Sequence, residues 1–385
     1  MLRLSVRIGA GLSNLALLLT SLIVVLGVVE LLLRTTHLSG ARIAWTSPDP
    51  VLGYRPRPGA RYWSTQESDH PITGRINRFG WRDVDWSLSK PAGGYRVAVI
   101  GDSFVEALQV EQDSTFLTLT QAALSAQLGR PVELMNFGRS GFTQSEELLV
   151  LQHEVLQFKP DLVVVFFFPG NDVADVSPQT ASTLQRPFFR VRDARLVLDT
   201  SFTTSRMYKL RSRVDALKRH SALVSMLAER FELWRRNRPA FARTELEAYI
   251  AFCTHHPPRA SVDGYGLNKR LLQEMEHTLA LQGIQFGIVV VPLPSAVKHR
   301  IGALDSTFDA HCYEKDLAEF ANARAIGILG LEDVIERADT EEAMPLYWRG
   351  IGHWTYAGHR VVAGALAAWL RPLIMGQSAR EQAIR

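Results

Sequence analysis

Several short stretches carry side chains that together could do nucleophilic chemistry. Val97-Ala98-Val99-Ile100-Gly101-Asp102-Ser103-Phe104 is an apolar run that stops at a small residue, an acid and a hydroxyl. A serine such as Ser103 becomes a nucleophile when a base takes its proton. Asn136-Phe137-Gly138-Arg139-Ser140-Gly141 offers flexible backbone amides, and Pro169-Gly170-Asn171-Asp172 offers an amide side chain. A hydroxyl beside such donors is a nucleophile with groups able to hold an oxyanion. Near the end, Gly352-His353-Trp354-Thr355-Tyr356-Ala357-Gly358-His359 supplies imidazole, the usual base at neutral pH. Taken alone, the first stretch also reads as a strand followed by a serine that caps a helix.

These residues work together only if the fold brings them to one place. Residues 97–100 fit a strand buried on both faces, with Gly101 allowing a sharp turn just past it. Helical periodicity at 113–127, 144–158 and 267–282 alternates with apolar strand-like runs at 132–137, 162–168, 284–291 and 326–331. The segment 353–370 begins as a loop and ends as a helix. The run at 162–168 is the most apolar and predicts the central strand. The alternation predicts an α/β fold, a three-layer, doubly wound parallel sheet of flavodoxin-like type. The carboxyl ends of its strands would gather Ser103, Gly141 and Asn171 in one crevice.

In order and spacing, these blocks resemble the SGNH (GDSL-like) hydrolase superfamily, over about residues 96–370. The resemblance implies Ser103 as nucleophile and His353 as base. It places the Ser103 amide, Gly141 and the Asn171 side chain around the oxyanion. The chain looks most like a bacterial membrane-anchored branch, whose members often act on acyl esters of envelope carbohydrates. Two departures stand out. Pro169 holds a place where the family has glycine, and Gly350 and Ile351 hold the places of the usual aspartate before the histidine. That acid orients the imidazole and stabilises its charged form. Glu332, Asp333, Glu341 or Glu342 could replace it, a backbone carbonyl could assist a Ser-His dyad, or the protein could be a catalytically impaired binder of carbohydrate or a scaffold.

Residues 12–33 are almost wholly apolar, long enough to cross a bilayer, with Arg3 and Arg7 before and Arg34 after. No clean cleavage site follows, so an uncleaved transmembrane helix is expected rather than a signal peptide. Arg34 and Arg42 balance Arg3 and Arg7, so charge barely orients it. The expected division is an anchor over 1–34, an extended approach segment over 35–95 that packs on the core edge, the hydrolase-like domain over 96–375, and a tail over 376–385. Residues 177–264 form a helical insertion, with Met207, Leu210, Val214, Leu217, Val224, Leu227, Phe231 and Trp234 expected to pack on the core and a basic opposite face in solvent. A cap touching lipid headgroups or an anionic glycan is the sharper alternative.

The remaining composition excludes more than it adds. A net charge of +4 over 385 residues and no basic-aromatic module give no sign of nucleic acid. Cys253, His255, His256, His311 and Cys312 match no common zinc spacing, so no metal or cofactor is expected. Cys253 and Cys312 are a disulfide or two buried thiols. Asp102 and Asp172 read as turn partners, His359 as a packing or capping residue, Arg139 and Ser140 as solvated loop, and Trp354 and Tyr356 as core. The expected function is a serine esterase or O-acyltransferase at the inner membrane. Its catalytic domain would be periplasmic, and its substrate an acylated polysaccharide or a small ester.

Overall fold

The computed structural model describes residues 2–35, 45–64, 67–236, 252–254, 256–341, 344–348 and 352–384. Helix α1 (Leu2–Thr35) leads. Its stretch Asn14–Thr35 has a mean hydropathy of 2.7 and no buried residues, so it can cross a membrane, a test that a signal sequence also passes. Two antiparallel hairpins follow: β1 (Thr46–Asp49) with β2 (Gly53–Pro56), then β3 (Arg61–Ser64) with β4 (Ile72–Arg75). They belong to the expected approach segment, but that segment is more than a spacer. Leu52, Trp81 and Trp86 are buried in the main core.

Strand β5 (Tyr95–Gly101) runs into the one-turn helix α2 (Ser103–Glu106), then α3 (Phe116–Leu128) and β6 (Val132–Gly138). Helix α4 (Gln144–Val150), β7 (Leu162–Phe167) and α5 (Pro169–Asp175) follow. The insertion holds the antiparallel pair β8 (Phe188–Arg192) and β9 (Arg195–Asp199), then α6 (Arg206–Lys218) and α7 (Ala222–Arg236). Helix α8 (Arg259–Ala280), β10 (Gln285–Val290), α9 (Ser295–Leu304), α10 (Cys312–Asn322), β11 (Gly327–Gly330), α11 (Glu332–Glu341) and α12 (Tyr356–Ile384) complete the chain.

The core sheet is parallel, in the order β11-β10-β7-β5-β6. Helices α3 and α12 pack together, and α4 and α5 pack on α8, giving two helical layers about the sheet. β7 is central and wholly buried. With both faces covered, its sequence Leu-Val-Val-Val-Phe-Phe needs no polar alternation. The chain leaves β5 toward β6 on one side and returns to β7 on the other, so the switch in strand order lies between β5 and β7. Crevices at such switch points hold ligands.

Local chemistry shifts several boundaries. α3 starts at Phe116 because the Thr115 hydroxyl accepts from the Thr118 amide at 3.4 Å. The helix expected over 144–158 is α-helical to Val150, then widens over Leu151–Val155, tightens over Leu156–Phe158, and ends at Lys159 with φ 51°. α8 begins at Arg259, after Pro258, so the expected insertion end at 264 falls inside a helix. The insertion departs from its expected packing. Met207, Leu210, Leu217, Leu227 and Phe231 are each more than half exposed, Val214 and Val224 are half-buried, and the Trp234 side chain lies outside the described residues.

Cys253 and Cys312 are joined in a disulfide, which removes both thiolates from any metal site. His255 lies outside the described residues. The bond closes a loop across 59 residues. Restricting the unfolded chain over that length is worth about 4 kcal/mol. Reduction should therefore lower the denaturation midpoint of the full chain, with a steeper denaturant slope as the unfolded chain expands. An unchanged midpoint in urea with and without reductant would show that the bond contributes nothing.

Candidate active site

Ser103 sits at the first position of α2, directly beyond β5. Asp102 accepts a hydrogen bond from the Phe104 amide at 2.9 Å and caps this turn. Two glycines allow the turn to press against the sheet. A Cβ on Gly101 would lie 2.5 Å from Val105 Cγ2, and one on Gly138 would lie 2.5 Å from the Glu106 amide nitrogen. Gly101 and Gly138 are also register partners, and the Arg139 amide donates to the Gly101 carbonyl at 2.9 Å. The loops after β5 and β6 are thereby held side by side.

His353 arrives from the other end of the chain. The Trp348 amide donates to its carbonyl at 2.9 Å, and a bridge between Tyr347 and Trp354 pins the loop just before α12. Trp354 is fully buried against Phe104 and Phe116, so the residue beside His353 belongs to the core. The Phe104 ring lies 5.0 Å from the imidazole. His353 Nε2 is 2.7 Å from Ser103 Oγ. Ser103 and His353, separated by 250 residues, therefore meet at the switch between β5 and β7.

The opposite side of the imidazole carries a carboxylate that sequence reasoning missed. Glu67 Oε1 and Oε2 lie 3.0 and 2.9 Å from His353 Nδ1, and Oε2 accepts from the His353 amide at 2.8 Å. An ionised carboxylate only accepts, so Nδ1 must carry the proton and Nε2 is left to accept from Ser103. Burial acts to raise the Glu67 carboxyl, but its contacts with His353 outweigh this and hold it below the usual glutamate range. Glu67 has φ +67°, a region that residues other than glycine seldom adopt.

Glu67 lies between β3 and β4, in the approach segment. Arg82 locks that hairpin to the serine turn. Its Nε donates to Tyr62 Oη on β3 at 2.6 Å, and its Nη1 and Nη2 donate to the carbonyls of Glu106 and Val110 at 2.9 and 2.6 Å. Past Glu67, His70 contacts Glu111 at 2.9 Å, and Tyr356 donates to the same carboxylate. Glu67, Ser103 and His353 are thus held by one buried guanidinium and one surface latch. Glu332 pairs with Lys298, and Asp333 approaches His311 at 3.9 Å, so both have other partners. The Glu341 side chain and residues 342, 350 and 351 lie outside the described residues.

Gly141 has φ +77° and is exposed; its carbonyl accepts from Arg186 at 2.8 Å. Asn171, on α5, donates to the Phe142 carbonyl at 2.9 Å, one residue past Gly141, and its side chain also hydrogen-bonds the Asp102 carboxyl. Arg139 is 5% exposed, which overturns its reading as solvated loop. It pairs with Glu106 and lies over the rings of Trp45 and Tyr54, while Ser140 also bonds Glu106. These contacts fix the loop that carries Gly141.

Beneath the crevice lies a buried polar layer. Burial pushes the Asp102 carboxyl up to about 6, and pushes Glu147 and Asp172 well above their usual ranges. Asp172 accepts from the Phe168 amide at 2.8 Å and Gln144 at 3.0 Å, a positional role that supports the Asn171 turn. His359 accepts from the Phe116 amide at 3.2 Å, and burial lowers it to about 3, so it stays neutral as a capping residue.

The sequence model of the GDSL-like lipase/acylhydrolase family matches residues 99–361. The fold is similar to a member of the lipolytic G-D-S-L family from Veillonella parvula DSM 2008, at 11% identity over 70% of this chain and 95% of that one, with a TM-score of 0.37. It is also similar to a catalytic mutant of Axe2, an acetylxylan esterase from Geobacillus stearothermophilus, at 12% identity over 71% and 92%, with a TM-score of 0.38. A third similar structure is LAE5, an alpha/beta hydrolase from the metagenome of Lake Arreo, Spain, at 15% identity over 73% and 96%, with a TM-score of 0.38. No curated protein matches the chain.

Proposed function

The chain belongs to the GDSL-like lipase/acylhydrolase family, and from that membership we propose that it is a membrane-anchored serine esterase or O-acyltransferase acting on acylated cell-envelope polysaccharide. Ser103 Oγ attacks the ester carbonyl as His353 Nε2 takes its proton. The amides of Ser103 and Gly141 and the Asn171 side chain hold the oxyanion. The leaving alcohol receives the proton from His353, and the acyl group stays on Ser103. Water or a sugar hydroxyl then attacks that acyl-enzyme, giving hydrolysis or transfer. Glu67 keeps the imidazole in the required tautomer and stabilises it when charged. The observation that carries this reading is the unbroken chain of contacts from Ser103 Oγ through His353 to Glu67.

The alternative of a catalytically impaired binder drew its support from the missing acid at 350 and 351. A carboxylate on His353 Nδ1 removes that support. The unit competent for catalysis is then 96–375, with 177–264 inserted, together with the approach segment 35–95 that carries Glu67. We place residues 1–34 in the inner membrane as an uncleaved anchor, with 376–385 as a tail. The Glu30 carboxylate accepts from the amides of Ala222 and Leu223 at 2.7 and 3.0 Å, so α1 is joined to the domain. A disulfide favours the oxidising periplasm for the domain.

A fluorophosphonate probe tests the nucleophile. Detergent-solubilised full-length protein should gain one adduct, mapped to the peptide containing Ser103 and slowed by a competing short acyl ester. No adduct, or an adduct on another residue, would overturn the assignment.

A further inference from the structure

Building on the anchor reading above, we propose that helices α6 and α7 lie on the membrane surface and bind the phosphate headgroups of anionic lipids. The positioning comes from Glu30. Its carboxylate caps α7 through the Ala222 and Leu223 amides and the Ser221 hydroxyl, and Arg34 donates to the His220 carbonyl at 2.7 Å. Glu30 lies five residues before Thr35, the end of the apolar stretch, or about 7 Å along the helix axis. The start of α7 is therefore fixed at the edge of the span, and α6 packs on α7.

The exposed face has the composition this position needs. On α6, Arg206, Leu210, Arg213 and Leu217 follow one another at spacings of four, three and four residues, which puts them on one helical face, and all are exposed. On α7, Leu227, Arg230 and Phe231 share a face and are exposed. Leu217, Leu227 and Phe231 are each 58% exposed. Alternating leucine and arginine suits the boundary between headgroups and acyl chains, where leucine inserts and arginine reaches phosphate. The acid of α6, Asp215, is buried against Arg57 at 2.6 Å, and α7 has Glu229 and Glu232 in its sequence against Arg206, Lys209 and Arg213 on the exposed positions of α6. α7 contacts α1, whose leucines and valines are exposed along the span, which is why the occupant is a bilayer rather than a second copy of this chain.

The test uses full-length protein in vesicles with single cysteines carrying a fluorophore at Leu22→Cys, Leu217→Cys, Phe231→Cys and Leu281→Cys. The native cysteines are bonded to each other and do not label. In vesicles containing phosphatidylglycerol, labels at 217 and 231 should be quenched by lipid-borne nitroxide. They should be about fivefold less quenched by aqueous iodide than the exposed control at 281. Arg206→Gln with Arg213→Gln should abolish the difference between phosphatidylglycerol and phosphatidylcholine vesicles. Iodide access at 217 equal to that at 281, with 22 protected, overturns the surface proposal and leaves the anchor standing. Iodide access at 22 overturns the anchor reading and the proposal with it. Protection at 217 without nitroxide quenching means a protein covers the face, which also overturns the proposal.

Discussion

Ser103→Ala is expected to lower kcat for a short acyl ester by roughly 10⁶-fold, the scale seen when the nucleophile of a serine hydrolase is removed. The loss comes from the missing acyl-enzyme route, because alanine offers no atom to carry the acyl group. What survives is water attack assisted by the oxyanion donors, which the substitution leaves in place. The fold should not suffer. Ser103 is the first residue of a short helix, alanine is the best helix former, and the partner of the serine hydroxyl is His353 rather than the core. An unchanged denaturation midpoint alongside lost turnover would isolate the chemistry. With an activated ester whose acylation outpaces deacylation, the parent should release one equivalent of alcohol before steady state and the variant none. Undiminished turnover would remove Ser103 from the mechanism, whatever the distance to His353.

The route from sequence to site was open wherever the signal was local. The buried run of β7 announces a central strand because burial on both faces leaves a continuous apolar string. The glycines and polar residues at the strand ends mark where the chain turns into the crevice. Ser103 and His353 are legible as chemistry-bearing types, and their meeting follows from the winding of the sheet. Glu67 is different. It lies in a polar run with no motif, 286 residues from its partner, and its backbone angle is invisible in sequence. Arg139 misleads for the same reason: an arginine in a loop looks solvated until Glu106, 33 residues earlier, folds beneath it. On α6, helical spacing signals a face but not what covers it. The exposed Leu210 and Leu217 share that face with Arg206 and Arg213, against the expectation of an apolar side packed inward.

Glu67→Gln is expected to reduce kcat by roughly 10⁴-fold with little change in KM, by analogy with amide replacement of the acid in a serine protease triad. Both carboxylate oxygens are committed, one shared between the His353 amide and Nδ1 and the other to Nδ1. An amide has one acceptor and one donor end. If its oxygen keeps the His353 amide, its nitrogen faces Nδ1, which must then accept. The ring proton moves to Nε2, and Nε2 can no longer take the proton of Ser103. The variant also loses the negative charge that stabilises the imidazolium of the transition state. The acid limb of the kcat/KM profile should therefore move to lower pH, because a protonated ring is disfavoured once the carboxylate charge is gone. A purely structural role for Glu67 would leave that limb in place. Global stability should change little, since the Glu67 side chain is 30% exposed in a loop and Arg82 holds the hairpin independently. Glu67→Asp keeps the charge and should recover part of the rate, limited by its shorter reach. If Glu67→Gln turns over like the parent, the acid lies elsewhere or the site works as a dyad.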